Sequence, residues 1–333
     1  MNRRTLIVLT GALAARTFIP TTQSIADDRA PEQNWPQRTV KIILPFGPGS
    51  AADIAARIFA DRLSPRWRRP VVVENRPSSD GLVAIAAFVS ADDDHTLLYS
   101  SGAVFIPHPF VHEKLPYDAA RDLIPIAGIA DISIGIIVPQ SLQVDSLAEL
   151  EALARAQPGK LNWGAITSLD DFVFSGFLKN SGLAMSRVPY RDPVQALNDI
   201  SEGRIDATLA ALALELPRVQ SGKVKLLAVV NRQRSPTTPN VPTAIEAGYP
   251  ALSYGAYGAI GGLFGPRIMS PETRERIAQD LRAICNDPAV VSRLAPTGQI
   301  VTFVPSADFA AGIEEERARV AAIAKVLDIK PGH

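Results

Sequence analysis

Thr39-Val40-Lys41-Ile42-Ile43-Leu44 runs straight into Pro45-Phe46-Gly47-Pro48-Gly49 and then into Ser50-Ala51-Ala52-Asp53. The first six residues read as a strand, the proline- and glycine-rich five as a loop, and Ser50 to Leu63 as a helix. Ile54, Ile58 and the Phe59/Leu63 pair give that helix its apolar stripe. Ser50 and Asp53 stand at capping-box spacing, which holds the loop against the helix start. A loop that leaves the carboxyl end of a strand and opens a helix turns unpaired N–H groups and the positive end of the helix dipole toward one point. Gly47 and Gly49 let an anion come close to that backbone.

The same alternation continues outward. Val71-Val72-Val73 is a second strand, closed by Asn75-Arg76-Pro77; Leu82–Ser90 is a helix and Thr96-Leu97-Leu98-Tyr99 a third strand. Strands alternating with helices predict an α/β protein with parallel-rich sheets covered by helices. The pattern restarts at Ile134–Val138 and runs through helices at Ser146–Ala156 and Val194–Ser201 and strands at Leu161–Gly164, Ala207–Ala213 and Leu226–Val230. Asn231–Pro242 is a polar, proline-rich connection, and long helices span Pro271–Asn286 and Ser306–Leu327. A length of 333 residues is enough for two such units.

Composition narrows the partners. Lys+Arg and Asp+Glu both total 34, so there is no basic excess for a nucleic acid. The single cysteine, Cys285, excludes a disulfide within the chain and sits among Ile277, Leu281 and Ile284 as core. At the N-terminus Arg3 and Arg4 precede a short apolar run from Leu6 to Ala15, and Ser24-Ile25-Ala26 has a small-x-small pattern. Residues 1–26 are therefore expected to be an export signal cleaved near Ala26–Asp27, with the product in the periplasm. Asn2-Arg3-Arg4-Thr5-Leu6 partly matches a twin-arginine signal.

The Pro45–Asp53 loop is neither a Walker loop, because no Gly-Lys-Ser/Thr follows, nor a dinucleotide fingerprint, because position 52 is Ala. No Gly-x-Ser-x-Gly elbow exists, and His95, behind three aspartates in what reads as a surface turn, is poorly placed as a general base. No catalytic group and no cofactor are expected. Tyr99-Ser100-Ser101-Gly102 ends another strand and offers hydroxyls and N–H groups to a polar ligand. His108 and His112 stand four apart, but Pro107 and Pro109 argue against a regular helix and no third ligand is evident, so no metal site is expected.

Trp35-Pro36, the Pro45–Asp53 loop, Val73-Glu74-Asn75-Arg76-Pro77, Leu115-Pro116-Tyr117-Asp118, Pro158-Gly159-Lys160-Leu161-Asn162, Val188-Pro189-Tyr190, Gly203-Arg204-Ile205-Asp206 and Val241-Pro242-Thr243-Ala244-Ile245-Glu246-Ala247-Gly248 follow one another along the chain. The ordered series resembles the Bug family, the extracytoplasmic solute receptors of tripartite tricarboxylate transporters. The resemblance implies a two-lobed periplasmic binding protein with two crossover strands and a small carboxylate held between the lobes, largely by backbone N–H groups. It also implies a monomer that hands its solute to transporter membrane subunits. Lobe 1 is expected at residues 36–133 and 243–333 and lobe 2 at 134–242, with hinges near Asp131 and Thr243. The expected ligand-binding residues are Phe46, Gly47, Pro48, Gly49, Ser50, Asp53, Ser100, Ser101, Gly102, Thr167, Ser168, Asp171, Tyr190, Arg191 and Asp192. A ligand-sensing subunit for a signalling partner is the alternative; an α/β enzyme using Ser50 or Asp53 lacks a base.

Three departures from the family mark the second lobe and its surroundings. Gly164-Ala165-Ile166-Thr167-Ser168-Leu169-Asp170-Asp171-Phe172 lacks the family's glycines, with Ser168 and Asp171 at capping-box spacing; Arg191-Asp192 stands where the family has Lys-Gly; and Ser78-Ser79-Asp80 replaces a glycine-rich run. Asp170, Asp171 and Asp192 would repel a second carboxylate unless paired, so a ligand with one carboxylate and an uncharged or amino-bearing far end is expected.

Overall fold

The computed structural model describes residues 35–331 apart from 79, 166, 191, 192 and 255–259. The chain begins β1 (Val40–Leu44), α1 (Ala51–Trp67), β2 (Val71–Asn75), α2 (Leu82–Ala91) and β3 (Thr96–Ser101). Three single-turn helices, α3 (Gly102–Phe105), α4 (His108–Val111) and α5 (Ala119–Asp122), lead to β4 (Ile124–Ile132). A second run holds β5 (Ile134–Pro139), α6 (Leu147–Ala156), β6 (Asn162–Ala165), α7 (Ser168–Asn180), β7 (Ser186–Pro189), α8 (Pro193–Ser201), β8 (Ala207–Ala211), α9 (Leu212–Gln220) and β9 (Val224–Val229). The chain closes with β10 (Ile260–Gly265), α10 (Pro271–Cys285), α11 (Pro288–Leu294), β11 (Gln299–Pro305) and α12 (Ser306–Val326).

Two sheets result, ordered β11-β4-β10-β3-β1-β2 and β7-β6-β8-β5-β9. In each, a parallel trio (β2-β1-β3, β7-β6-β8) is flanked by an antiparallel strand that follows a crossover between the sheets, β10 in the first and β5 in the second. The parallel trios are the βαβ units that alternation predicts. Strand β1 shows why its sequence is apolar without a break. Val40, Ile42 and Leu44 pack with Ala55, Phe59 and Leu63 of α1, while Ile43 packs with Ile85 and Phe88 of α2 on the other face.

The chain crosses between the sheets at Ser133, and returns between Tyr254 and Ile260. Asn231, just after β9, braces the first crossover: its Oδ1 accepts from the Ile134 N–H at 2.9 Å and its amide donates to Asp131 Oδ1 at 3.1 Å. Thr243, near which the second hinge is expected, bridges Val229 of the second sheet. Helix α12 rests on both runs. Phe309 packs on Phe264 of the first sheet with ring centroids 5.4 Å apart, and Ile323 lies against Gly176 of α7, where an added Cβ would sit 2.7 Å from its Cγ2.

Several local readings change. Helix α1 runs past Leu63 and through Pro65 because Trp67 is anchored, edge-on to Trp35 at 4.9 Å and donating from Nε1 to Asp280 at 2.8 Å. Strand β10 hides behind its glycines: a Cβ on Gly261 would meet Tyr99 Oη at 2.7 Å and one on Gly262 the Ala127 carbonyl at 2.4 Å. Residues 212 and 213 belong to α9, not to the preceding strand. His95 is buried rather than at the surface; its Nε2 accepts from the Gln37 N–H at 3.0 Å and its ring lies 5.7 Å from that of Trp35. Cys285 is core, and burial pushes its thiol up to about 12. Among the described residues, no helix is long and apolar enough to cross a membrane. The expected signal, residues 1–26, lies outside the described residues.

Candidate functional site

In a sheet ordered 2-1-3, connections leave the first and third strands in opposite directions, and a crevice opens at their carboxyl ends. Both sheets have this order. The crevice positions are the β1–α1 and β3–α3 connections in the first sheet and the β6–α7 and β8–α9 connections in the second. Sequence reading named residues on three of these four and missed Ala211–Leu212 on the last. Pro45 and Val104 both flank Gly81, so the β1–α1 loop lies beside α3, and Phe110 of α4 meets Phe172 of α7 with centroids 5.8 Å apart. The second contact sets the N-terminal half of α7 beside α4 of the first lobe.

The β1–α1 loop is built around Asp53, which is only 3% exposed. Ser50 is the N-cap; its Oγ accepts from the Asp53 N–H at 3.2 Å. The Asp53 carboxylate accepts from the Gly49 N–H at 2.9 Å, from Arg57 Nε at 3.0 Å and from the Asn75 amide at 2.9 Å. Asn75 also donates to the Phe46 carbonyl at 2.9 Å, and Gln299 Nε2 to the Ala51 carbonyl at 2.7 Å. Burial pushes the Asp53 carboxyl up, but the Arg57 guanidinium, the Gly49 N–H and the Asn75 amide outweigh it, and the group lies below its ordinary value. Asp53 therefore holds the loop and has its oxygens turned inward to it. The N–H groups of Ala51 and Ala52, at the first two helical positions, have no partner among the described residues.

Helix α7 repeats the device one residue earlier than its spacing suggested. Thr167, not Ser168, is the N-cap, and Asp170, not Asp171, closes the capping box. Thr167 N–H and Oγ1 donate to Asp170 Oδ2 at 3.0 and 2.7 Å. The register is decided by Asp170, whose other oxygen accepts from the buried Tyr254 hydroxyl. Among the described residues, the Ser168 and Leu169 N–H groups have no partner, as with Ala51 and Ala52 in α1. The two runs thus present matching helix N-termini, each suited to an anion.

The acidic trio does not act as three free charges. Asp171 accepts a two-pronged contact from Arg187, with Nε at 2.9 Å, and a bond from Ser175 at 3.2 Å. Burial pushes Asp170 up to about 6, against the Tyr254 and Thr167 hydrogen bonds, with Asp171 adding to the rise. Arg191 and Asp192 lie outside the described residues. Of the other expected residues, Tyr190 packs its ring on Gly164 and donates to Asp199 at 2.8 Å. Ser100 is fully buried, while Ser101 caps α3 without a side-chain bond to it and Gly102 begins that helix.

The raised carboxyls predict a pH dependence. Between its ordinary value and about 6, Asp170 keeps a proton in the folded state and loses it in the unfolded one. Its contribution to stability is then fully present below about 4 and is lost as pH rises through 6. Asp131, pushed by burial to about 6, and Glu215, pushed to about 7, act in the same direction. Asp170→Asn is expected to flatten the fall in unfolding free energy between pH 4 and pH 7 by on the order of 3 kcal/mol, read from denaturant titrations at both values. An unchanged slope would show that Asp170 titrates normally.

Two mixed sheets with repeated strand order, joined by two crossovers, and two open helix N-termini at the crevice define a two-lobed periplasmic-binding-protein architecture. Residues 55–329 match the model of the tripartite tricarboxylate transporter family receptor, and the chain belongs to that family. It is a receptor and not an enzyme. Protein BugT of Bordetella pertussis is 28% identical over 302 residues, covering 90% of each chain. A relative from Bordetella bronchiseptica, classed only as a UPF0065 protein, is 28% identical over 320 residues, covering 95% of this chain and 94% of its own. Among solved structures, R. palustris Rpa4515 with adipate superposes with a TM-score of 0.75 at 28% identity, covering 89% of this chain and 99% of that one. The periplasmic binding protein BugD shares the fold, with a TM-score of 0.73 at 22% identity over 89% of this chain and 99% of its own.

Proposed function

We propose that the chain is an exported receptor that captures a small dicarboxylate in the periplasm and delivers it to the membrane subunits of a tripartite tricarboxylate-type transporter. The observation that carries this reading is the pair of helix starts. Ala51–Ala52 of α1 and Ser168–Leu169 of α7 each present two N–H groups with no partner among the described residues, one set in each run. One carboxylate takes the α1 start and the second the α7 start. The one-carboxylate expectation rested on three repelling aspartates. Asp171 is paired with Arg187 and Asp170 is buried against Tyr254, so most of that repulsion is removed. A 28% identical relative of known structure carries adipate, a dicarboxylate.

Capture would proceed by hinge closure about the crossovers that join the two sheets, of which Ser133 is one. Because α12 packs on both runs, closure must slide or carry that helix. Cleavage after Ala26 would release the receptor, working as a monomer, into the periplasm. Titration calorimetry on protein stripped of solute tests the reading with a monocarboxylate, an amino acid, succinate, adipate and citrate. A four- to six-carbon dicarboxylate is expected to bind at least about tenfold more tightly than its monocarboxylate analogue, a difference of about 1.4 kcal/mol. Equal affinities would mean that α7 holds no second carboxylate.

A further inference from the structure

His108 and His112 lack a third ligand in the sequence, and folding supplies one. Helix α4 forms despite its flanking prolines, because Pro109 falls in its first turn, where no N–H is needed; the His112 N–H then closes the turn on the His108 carbonyl at 3.0 Å. This puts both imidazoles on one side, 5.3 Å apart and almost perpendicular. Asp80, just before α2, reaches the same point. Its Oδ2 lies 2.5 Å from His112 Nε2, and its carbonyl accepts from His108 Nε2 at 2.9 Å. One ligand atom from each of the three residues lies within 4.8 Å of the other two.

We propose that Asp80, His108 and His112 form a binding site for one divalent transition-metal ion, of the Zn2+ and Co2+ class. Two imidazoles and one carboxylate are the donor set of a three-ligand site with an open position for water. A single carboxylate is too few oxygens for Ca2+ or Mg2+. His108 is fully buried and acts as the fixed ligand; the His112 and Asp80 side chains, 26% and 19% exposed, leave a way in.

The outer partner is also present. His108 Nδ1 lies 2.6 Å from the Tyr117 hydroxyl. Without metal, Nε2–H donates to the Asp80 carbonyl and Tyr117 donates to Nδ1. On binding, the ring would take its other neutral tautomer: the proton passes from Nε2 to Nδ1, which donates to Tyr117 Oη, and the Asp80 carbonyl, 2.9 Å from Nε2 in the metal-free chain, loses that donor and turns onto the ion so that the Nε2 lone pair can reach it. A metal-bound histidine almost always has such a partner on its second nitrogen. The ion would pin α4 to the residue before Gly81, which itself abuts Pro45 of the anion loop. The site stands beside the ligand crevice and does not depend on what that crevice holds.

Untagged protein freed of metal with a chelator would be titrated with Co2+ and followed in the visible. One equivalent is expected to produce ligand-field absorption that Zn2+ abolishes, and Zn2+ should raise the thermal midpoint. His112→Ala, at a partly exposed side chain, should fold as the parent does and bind Co2+ at least about tenfold more weakly, the loss that removing even an outer partner of a metal ligand causes. Asp94→Ala probes the other group of close ligands, Asp93, Asp94 and His95. The proposal is overturned if the parent shows no one-equivalent spectrum. It is equally overturned if His112→Ala leaves that spectrum and affinity unchanged, or if Asp94→Ala removes them.

Discussion

Gly47→Val is expected to weaken carboxylate binding by about 100-fold or more while leaving stability nearly unchanged. Nothing lies within 4 Å of the position a Cβ would take on Gly47, and its φ is not in the left-handed region. The folded chain therefore has room for the new side chain, and only a ligand at the loop would meet it. Hydrogen bonds to a charged group contribute about 1.5–3 kcal/mol each, so shielding two N–H groups removes about 3–6 kcal/mol, at least a factor of 100. Gly49 has equal space but a φ of +81°, which a β-branched residue adopts only with strain. Gly49→Val should thus lose affinity and also lower the unfolding midpoint, because the Gly49 N–H must leave Asp53. Calorimetry and denaturant titration on both variants separate the two effects. Full affinity in Gly47→Val would place the anion elsewhere.

Asp53→Ala is expected to destabilise the protein by about 3 kcal/mol near neutral pH, since it strands the Gly49 N–H and the Asn75 amide and frees Arg57 from its partner. The sign of its pH dependence opposes that of Asp170. The Asp53 carboxyl lies below its ordinary value in the folded chain, so its contribution is present above about pH 4 and is lost as pH falls through the folded value. The gap between parent and variant should narrow from pH 7 to pH 3 in denaturant titrations. A gap that stays constant would mean the carboxylate acts through packing alone. Binding should fall as well, because Asp53 and Asn75 together set the path of residues 46–49.

How far the site could be read depended on how local its causes are. The β1–α1 loop was legible because a strand, two glycines, a cap and an Asp three residues on are neighbours in sequence, and short-range hydrogen bonds determine their geometry. Arg57 lies at ion-pair spacing from Asp53 on the same helix, so its role was open to the same reading. Gln299 was not, being 248 residues from the carbonyl it binds. The α7 start was misread by one residue because Thr167–Asp170 and Ser168–Asp171 are equally good boxes locally. Tyr254, 84 residues away, chooses between them by bonding Asp170.

The charges show the same division. Three aspartates near one helix start are visible in the sequence, but their partners are not. Asp171 is neutralised by Arg187, brought alongside by the parallel pairing of β6 with β7, and Asp170 is sealed under a tyrosine that follows the second sheet. Strand β10 was unreadable because its glycines answer to Tyr99, Ala127 and Phe309, each from a distant element. By itself the sequence determined the α/β class, the two runs of βαβ units and an anion-ready loop at Pro45–Asp53, because strand periodicity, helix caps and turn residues act over a few neighbours. Only the tertiary structure decided which carboxylates keep their charge, where the chain returns to its first sheet and how Asp80 meets two histidines. Burial and pairing are properties of groups far apart in the chain, and no local pattern records them.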